Sequence, residues 1–194
     1  RLARACARGG PLTVESCGAG VQMGYYMQQD KQDYLILEKG PSAGTFYTHY
    51  PRHRGLISIN KRYAGPDKGH EFHLRHDWNS LLGDANSPRF TNYSDDYFPH
   101  ADAYRGYLAD YAEAQHLNIR YSTPVTSVSR RAAGRRRSGF TVITIGGREV
   151  DCAHVVIATG LSKPHLPDIG GIELAIGYED MPIDPLFYRN KSVL

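Results

Sequence analysis

The chain is short of cysteine. Its 194 residues include three, Cys6, Cys17 and Cys152, and no two of them form a C-x-x-C pair. That spacing argues against a dithiol redox centre. Long apolar runs are missing too. None approaches the roughly 18–20 residues that a bilayer-spanning helix needs, so no membrane span is expected. Nor is there a large excess of one charge. The formal net charge is +3, too weak to point to a nucleic-acid partner. Nine histidines are present, but no Ser/His/Asp or Cys/His nucleophile pattern stands out among them. His70, His73 and His76 recur every third residue with Asp77 adjacent. A metal would need them on one regular helix face, and Pro66 and Gly69 work against that, so no metal site is expected. Internal repeats and low-complexity segments are also missing.

What is present suits one α/β domain with a real core. Hydrophobic residues make up 41% of the chain and glycines number 20. The run Tyr34-Leu-Ile-Leu37 is continuously apolar, as expected of a parallel strand buried on both faces. Residues 20–29 suit a helix, with Met23, Tyr26 and Met27 expected on its buried side. Residues 39–66 are rich in Gly, Pro and aromatics and read as loop, and residues 76–82 as a short helix. Tyr104, Leu108, Tyr111 and Ala112 recur at helical spacing, which predicts an amphipathic helix over 101–115 with Asp110 and Glu113 outside.

Strand-like segments follow at 119–121, 124–129, 139–145 and 148–152. Arg130, Arg131, Arg135, Arg136 and Arg137 lie between the second and third of these and read as a solvated hairpin tip. Residues 155–158 read as a second buried parallel strand. The order is β-α-β, a long middle, an antiparallel meander and a return strand. That predicts a Rossmann-like domain with a parallel sheet and an inserted meander.

The chemistry concentrates at the first turn. A pyrophosphate needs backbone N–H groups and the positive end of a helix, and glycines let the backbone approach. Gly18-Ala-Gly20 leads into the predicted helix, and Glu38 ends the next strand, where a carboxylate can accept hydrogen bonds from a ribose. The usual G-x-G-x-x-G is incomplete. Taking Gly20 as its last glycine puts Glu15 and Cys17 at the other two positions. Starting from Gly18 instead ends the motif at Gly24 and leaves the helix short. The first register is preferred, and it sets a carboxylate where a phosphate would sit. Leu12-Thr-Val14 reads as too short to supply the strand that should precede the turn.

The chain resembles the FAD-dependent oxidoreductase domain-containing protein 2 family, which is distantly similar to flavin monooxygenases. The resemblance runs from Gly18 to Leu194. It is carried by Gln22-Met-Gly-Tyr-Tyr26, Asp33-Tyr-Leu-Ile-Leu-Glu38, Tyr50-Pro-Arg-His-Arg54, Ile57-Ser-Ile-Asn-Lys-Arg-Tyr63 and Leu74-Arg-His-Asp-Trp-Asn-Ser80. Tyr97-Phe-Pro99 and Ala158-Thr-Gly-Leu-Ser162 extend it. It does not reach residues 1–16, and an alternative first exon would account for that and for the missing glycines together.

The resemblance implies FAD. Its pyrophosphate would lie near Gly18 and Gly20, and its ribose at Glu38. Gly44, Thr45 and Phe46 would pass near the flavin-side phosphates. Val125 would touch the adenine, and Ala158, Thr159 and Gly160 would close over the cofactor. Arg54, with its neighbours Arg52 and His53, is placed equally well at the flavin or in a loop salt bridge. No catalytic acid or base can be named.

The implied organisation is an atypical segment 1–16, an FAD-binding domain 17–170, and a linker with the first strand of an NADPH-binding domain at 171–194. NADPH belongs to the intact protein only, and the chain reads as a fragment. The resemblance further implies the endoplasmic reticulum lumen, with misfolded glycoproteins and the degradation machinery as partners. Two sequons, Asn92-Tyr-Ser94 and Asn190-Lys-Ser192, fit such a setting. Two other readings stay open: a non-catalytic binding factor for non-native proteins, and an inactive fragment with a damaged FAD site.

Overall fold

The computed structural model describes residues 10–15, 17–64, 70–131, 139–160 and 164–192. A four-stranded parallel sheet forms the centre. Its strands are β1 (Pro11–Val14), β2 (Leu35–Leu37), β3 (Ile119–Arg120) and β7 (His154–Ile157), in the spatial order β3-β2-β1-β7. Strands β4 (Val125–Arg130), β5 (Phe140–Thr144) and β6 (Glu149–Cys152) make a separate antiparallel sheet. Helices α1 (Gly18–Gln29), α2 (His70–His76) and α3 (Ala101–Ala114) complete the regular structure. The predicted α/β class, with a parallel sheet and an inserted meander, is what the chain adopts.

Three layers share two cores. On one face of the parallel sheet, Leu12, Val14, Leu35 and Leu37 pack against Val142, Val150 and Cys152 of the meander. On the other, α1 and α3 enclose Val21, Phe90, Tyr107, Leu108 and Tyr111. Edge-to-face rings dominate there: Phe90 lies 5.1 Å from Tyr104 and 5.6 Å from Tyr107. Such ring pairs add to the burial of the rings themselves.

The first strand corrects an expectation. Residues 12–14 do form β1, and it is central, pairing with β2 on one side and β7 on the other. It is short, but its neighbours are equally short. Leu12, Thr13 and Val14 are all buried, so both ladders and both faces hold it. By contrast β7 is an edge, not a strand buried on both sides, and Ile157 is 68% exposed.

Helix α1 turns a different face to the sheet than expected. Gly20, Val21, Gly24 and Met27 are its buried residues, while Met23 and Tyr26 are exposed. The reason is close approach: a Cβ on Gly24 would stand 2.7 Å from Ile36 Cδ1. Small residues, not the large apolar ones, make the contact. The second helix ends at His76 rather than beginning there. Asp77 stops it, because its Oδ1 accepts the backbone N–H groups of Asn79 and Ser80. Helix α3 matches its prediction, with Asp110 and Glu113 outside, and Tyr107 joins the buried face.

On either side of the arginine-rich segment β4 and β5 pair antiparallel, and Arg131 pairs with Asp151 at 2.9 Å. Arg135, Arg136 and Arg137 lie outside the described residues. So do the side chains of His70 and His73; that of His76 packs on the Phe72 ring. The strand expected at 190–194 is not seen at 190–192, where Asn190 sits in a turn at φ 60°. Val193 and Leu194 lie outside the described residues.

Candidate nucleotide site

The chain leaves β1 toward β2 and returns to its other side through β7. In an open parallel sheet that reversal opens a crevice at the carboxyl ends of the strands, where ligands bind. A cavity of about 290 Å³ lies there. Val14, Leu37 and Ile157 from the strand ends and Val125 from β4 supply its apolar walls, and Thr159 and Ser127 supply hydroxyls. Glu15 and Lys39 are its charged members.

The β1–α1 turn follows the preferred register of the glycine motif. In that motif the first glycine serves a tight turn, and the third serves close packing of helix on strand. Glu15 stands at the first position with φ 72°, a left-handed conformation that glycine adopts freely and glutamate does not. Gly20 stands at the third, and a Cβ there would collide with the carbonyl oxygen of Glu15. Cys17, at the second, is the residue before α1, and its S–H donates to the Ala158 carbonyl at 2.7 Å.

Glu15 Oε1 lies 3.4 Å from Lys39 Nζ, with the glutamate side chain 15% exposed and the lysine 58%. Burial raises the Glu15 carboxyl above its ordinary value; Lys39 opposes the shift and Glu38 adds to it. Glu38 ends β2 as predicted but is only 2% exposed. Its Oε1 accepts the Gly40 N–H at 2.7 Å. The cavity is lined by its neighbours Leu37 and Lys39, not by Glu38 itself.

A second cavity of about 420 Å³ opens nearby. Phe46, Tyr50, Trp78 and Tyr178 give it an aromatic lining. Trp78 is 82% exposed, so it is a wall residue and not core. Phe46 and Tyr50 stack at 4.8 Å. A segment from the far end of the chain closes one side: Tyr178 OH accepts the Arg52 N–H at 2.8 Å, and Tyr50 donates to Glu179.

The predicted residues divide between the two cavities. Val125 and Thr159 line the smaller, with Gly18 and Gly20 in the helix start beside it. Phe46 lines the larger. Gly160, at φ 72°, would place a Cβ 3.3 Å from the Phe46 ring. The turn that ends β7 thus lines the smaller cavity through Thr159 and sets Gly160 against the Phe46 ring, a wall of the larger. Ala158 is buried behind it and donates its N–H to Val14. Gly44 (φ 75°) packs on Leu108 of α3, and Thr45 Oγ1 donates to Ser42 O. Arg54 lines neither cavity; its guanidinium bonds Asp102 at 2.9 Å and the Tyr50 carbonyl. Sequence reasoning missed Lys39, Tyr50 and Tyr178. A cation directly after the acidic end of β2 was the available signal for the first.

Residues 16–193 match a family described as pyridine nucleotide-disulphide oxidoreductase. The chain belongs to that family. Its two described cysteines, Cys17 and Cys152, are free thiols. The FAD-dependent oxidoreductase domain-containing protein 2 of Mus musculus is 40% identical over 178 residues, which is 91% of this chain and 27% of the mouse protein. The Danio rerio protein of that name is 38% identical, over 91% of this chain and 25% of its own length. The chain thus spans about a quarter of the length of these curated relatives.

Among solved structures, a flavin-containing monooxygenase from Stenotrophomonas maltophilia superposes with TM-score 0.58 at 21% identity, over 77% of this chain and 38% of that one. OTEMO, crystallised in complex with FAD and NADP, gives 0.57 at 21%, over 91% and 31%. These likenesses show the fold. With the family match, they make the chain part of a flavoprotein oxidoreductase family with a monooxygenase-like fold.

For FAD the fit is mixed. The apolar walls of the smaller cavity and the Gly20 close approach fit the nucleotide end of a dinucleotide. Glu15 and Cys17 at the pyrophosphate turn do not fit its phosphates.

Proposed function

We propose that this chain is the FAD-side nucleotide domain of a flavin-dependent, monooxygenase-like oxidoreductase, altered at its phosphate turn. The observation that carries this reading is the β7 turn, which lines the small cavity at Thr159 and sets Gly160 against Phe46, a wall of the aromatic one. A long cofactor lying across that turn would put its adenosine in the small cavity and its flat ring system in the aromatic one. Ala158-Thr-Gly160 would then close over it, with Val125 and Phe46 as walls and Gly18 and Gly20 at the helix start beside it. In such proteins the flavin carries the redox chemistry while the protein binds, orients and excludes water. No step of that chemistry is assigned to a residue here.

By the same resemblance, the longer protein works in the endoplasmic reticulum lumen on misfolded glycoproteins bound for degradation, and NADPH is its reductant. Asn92, exposed at the end of a single helical turn, is accessible to glycosylation there.

The test is flavin content. The purified chain and its Glu15→Gly/Cys17→Gly variant are examined by visible absorption, with the chromophore released by heat and identified. Flavin bands near one equivalent in the double variant support the reading. A folded but colourless double variant sinks it.

A second reading has its own observation. Trp78, Tyr63, Tyr97 and Phe98 are all exposed, and the tilted rings of Tyr63 and Tyr97 lie 5.7 Å apart. Exposed aromatics suit a factor that captures non-native chains without turnover. NADPH oxidation by the longer protein separates the two. Turnover favours the oxidoreductase, and client binding without turnover favours the factor.

A further inference from the structure

The smaller cavity is built from two kinds of wall that ask for different things of a ligand. Val14, Leu37, Val125 and Ile157 offer an apolar ligand burial. Its volume, about 290 Å³, is at the small end of the roughly 300–1,000 Å³ of ligand pockets. Beside these walls stands the Glu15 carboxylate, mostly buried, at the turn where the fold would present backbone N–H groups to a phosphate. The nearby cation, Lys39, is already engaged by Glu15 at 3.4 Å. A phosphate entering here meets a carboxylate in partly desolvated surroundings. Like charges in such surroundings repel far more than in water. A neutral nucleoside meets no such repulsion.

We infer that this cavity, as the chain builds it, selects a neutral nucleoside over its phosphorylated forms, and that Glu15 sets the preference. The inference rests on the nucleotide-site reading above and deepens it. The preference is electrostatic, so it follows the charge of residue 15 and not its shape.

The experiment is calorimetric titration of adenosine and of ADP into the whole chain, the Glu15→Gln variant and the Glu15→Gly variant. Near-ultraviolet circular dichroism confirms that each is folded. Glu15→Gln keeps the shape and removes the charge, so it answers even if glycine loosens the turn. The expected result is adenosine bound more tightly than ADP by the unaltered chain. Glu15→Gln should then raise ADP affinity at least about tenfold and leave adenosine within about twofold. ADP bound more tightly than adenosine by the unaltered chain overturns the inference and leaves the nucleotide-site reading standing. So does an equal gain for both ligands in Glu15→Gln. No adenosine binding in any variant overturns both.

Discussion

Two turns in this chain have nearly the same positive φ and opposite fillings. Glu15 closes the β1–α1 turn at φ 72°, beside the small cavity. Gly44 stands at φ 75° in the loop that enters the helical turn Thr45–Thr48, beside the aromatic cavity. At Gly44 the residue type agrees with the backbone and with its surroundings, since a Cβ would lie 3.0 Å from Leu108 Cδ1. At Glu15 a charged residue takes a conformation that costs an L-amino acid about 1–2 kcal/mol. What holds the strained turn is its context. Glu15 donates its N–H to Leu37 O at 2.6 Å, and its carbonyl backs onto Gly20. The difference teaches that this fold keeps the geometry of a glycine turn even when the glycine, and the chemistry it serves, are gone.

If context holds the turn, removing the context should do the most damage. Gly20→Ala drives a Cβ into the Glu15 carbonyl, a backbone atom that cannot swing aside. Overpacking of this kind costs about 3 kcal/mol. Urea denaturation should show that loss, and the small cavity should lose adenosine with it. A loss under about 0.5 kcal/mol would mean the helix start is free to shift and the turn is not held as described. Next in size is Gly44→Ala, which adds left-handed strain and the Leu108 contact, together about 2 kcal/mol. Its measure is the same denaturation midpoint.

The mirror change, Glu15→Gly, should stabilise. It releases about 1–2 kcal/mol of strain and gives back part of that through the greater freedom of glycine in the unfolded chain. The ion pair with Lys39 counts for little, because Lys39 is more than half exposed. A net gain near 1 kcal/mol raises the melting temperature by about 2–4 °C in a chain of this size. Opposite signs for Gly44→Ala and Glu15→Gly would establish the comparison. Destabilisation by both would break it.

How far the sequence allowed this to be foreseen varies with the length of each pattern. Helix α3 was legible because Tyr104, Leu108, Tyr111 and Ala112 recur at helical spacing over more than two turns, and β2 because its apolar run is unbroken. The meander was legible as strand-like segments in sequence, the first two separated by the arginine-rich stretch. Strand β1 was not, since three buried residues are too few to show a period, and what stabilises them is β2 and β7 pairing from far along the chain. The buried face of α1 misled because Gly20 and Gly24 make its contact, and glycine carries no hydropathic signal. At the site, the register that puts Glu15 and Cys17 at glycine positions was readable by counting from Gly20. The closing of the aromatic cavity by Tyr178 was not, because its bond to Arg52 spans 126 positions and obeys no local rule.

The smallest expected effect isolates charge from shape at Glu15. Burial holds its carboxyl above the ordinary carboxylate value of 4.5, with Lys39 acting in the opposite direction. A raised acid holds its proton more tightly in the folded state than in the unfolded one. The stability this contributes is therefore fully present below pH 4.5, the unfolded value, and is lost as pH rises through the folded value. Glu15→Gln keeps the amide-sized side chain and the strained φ but has nothing to ionise. Relative to the unaltered chain it should gain stability as pH rises from about 4 toward neutrality, and the difference should close again at lower pH. Paired denaturation curves across that range measure it. A constant offset at every pH would assign the effect to the lost Lys39 hydrogen bond or to packing. A gain toward acid would mean that Lys39, and not burial, governs the carboxylate, and the turn would then be an ion-pair site from which Lys39 could not easily be drawn by a phosphate.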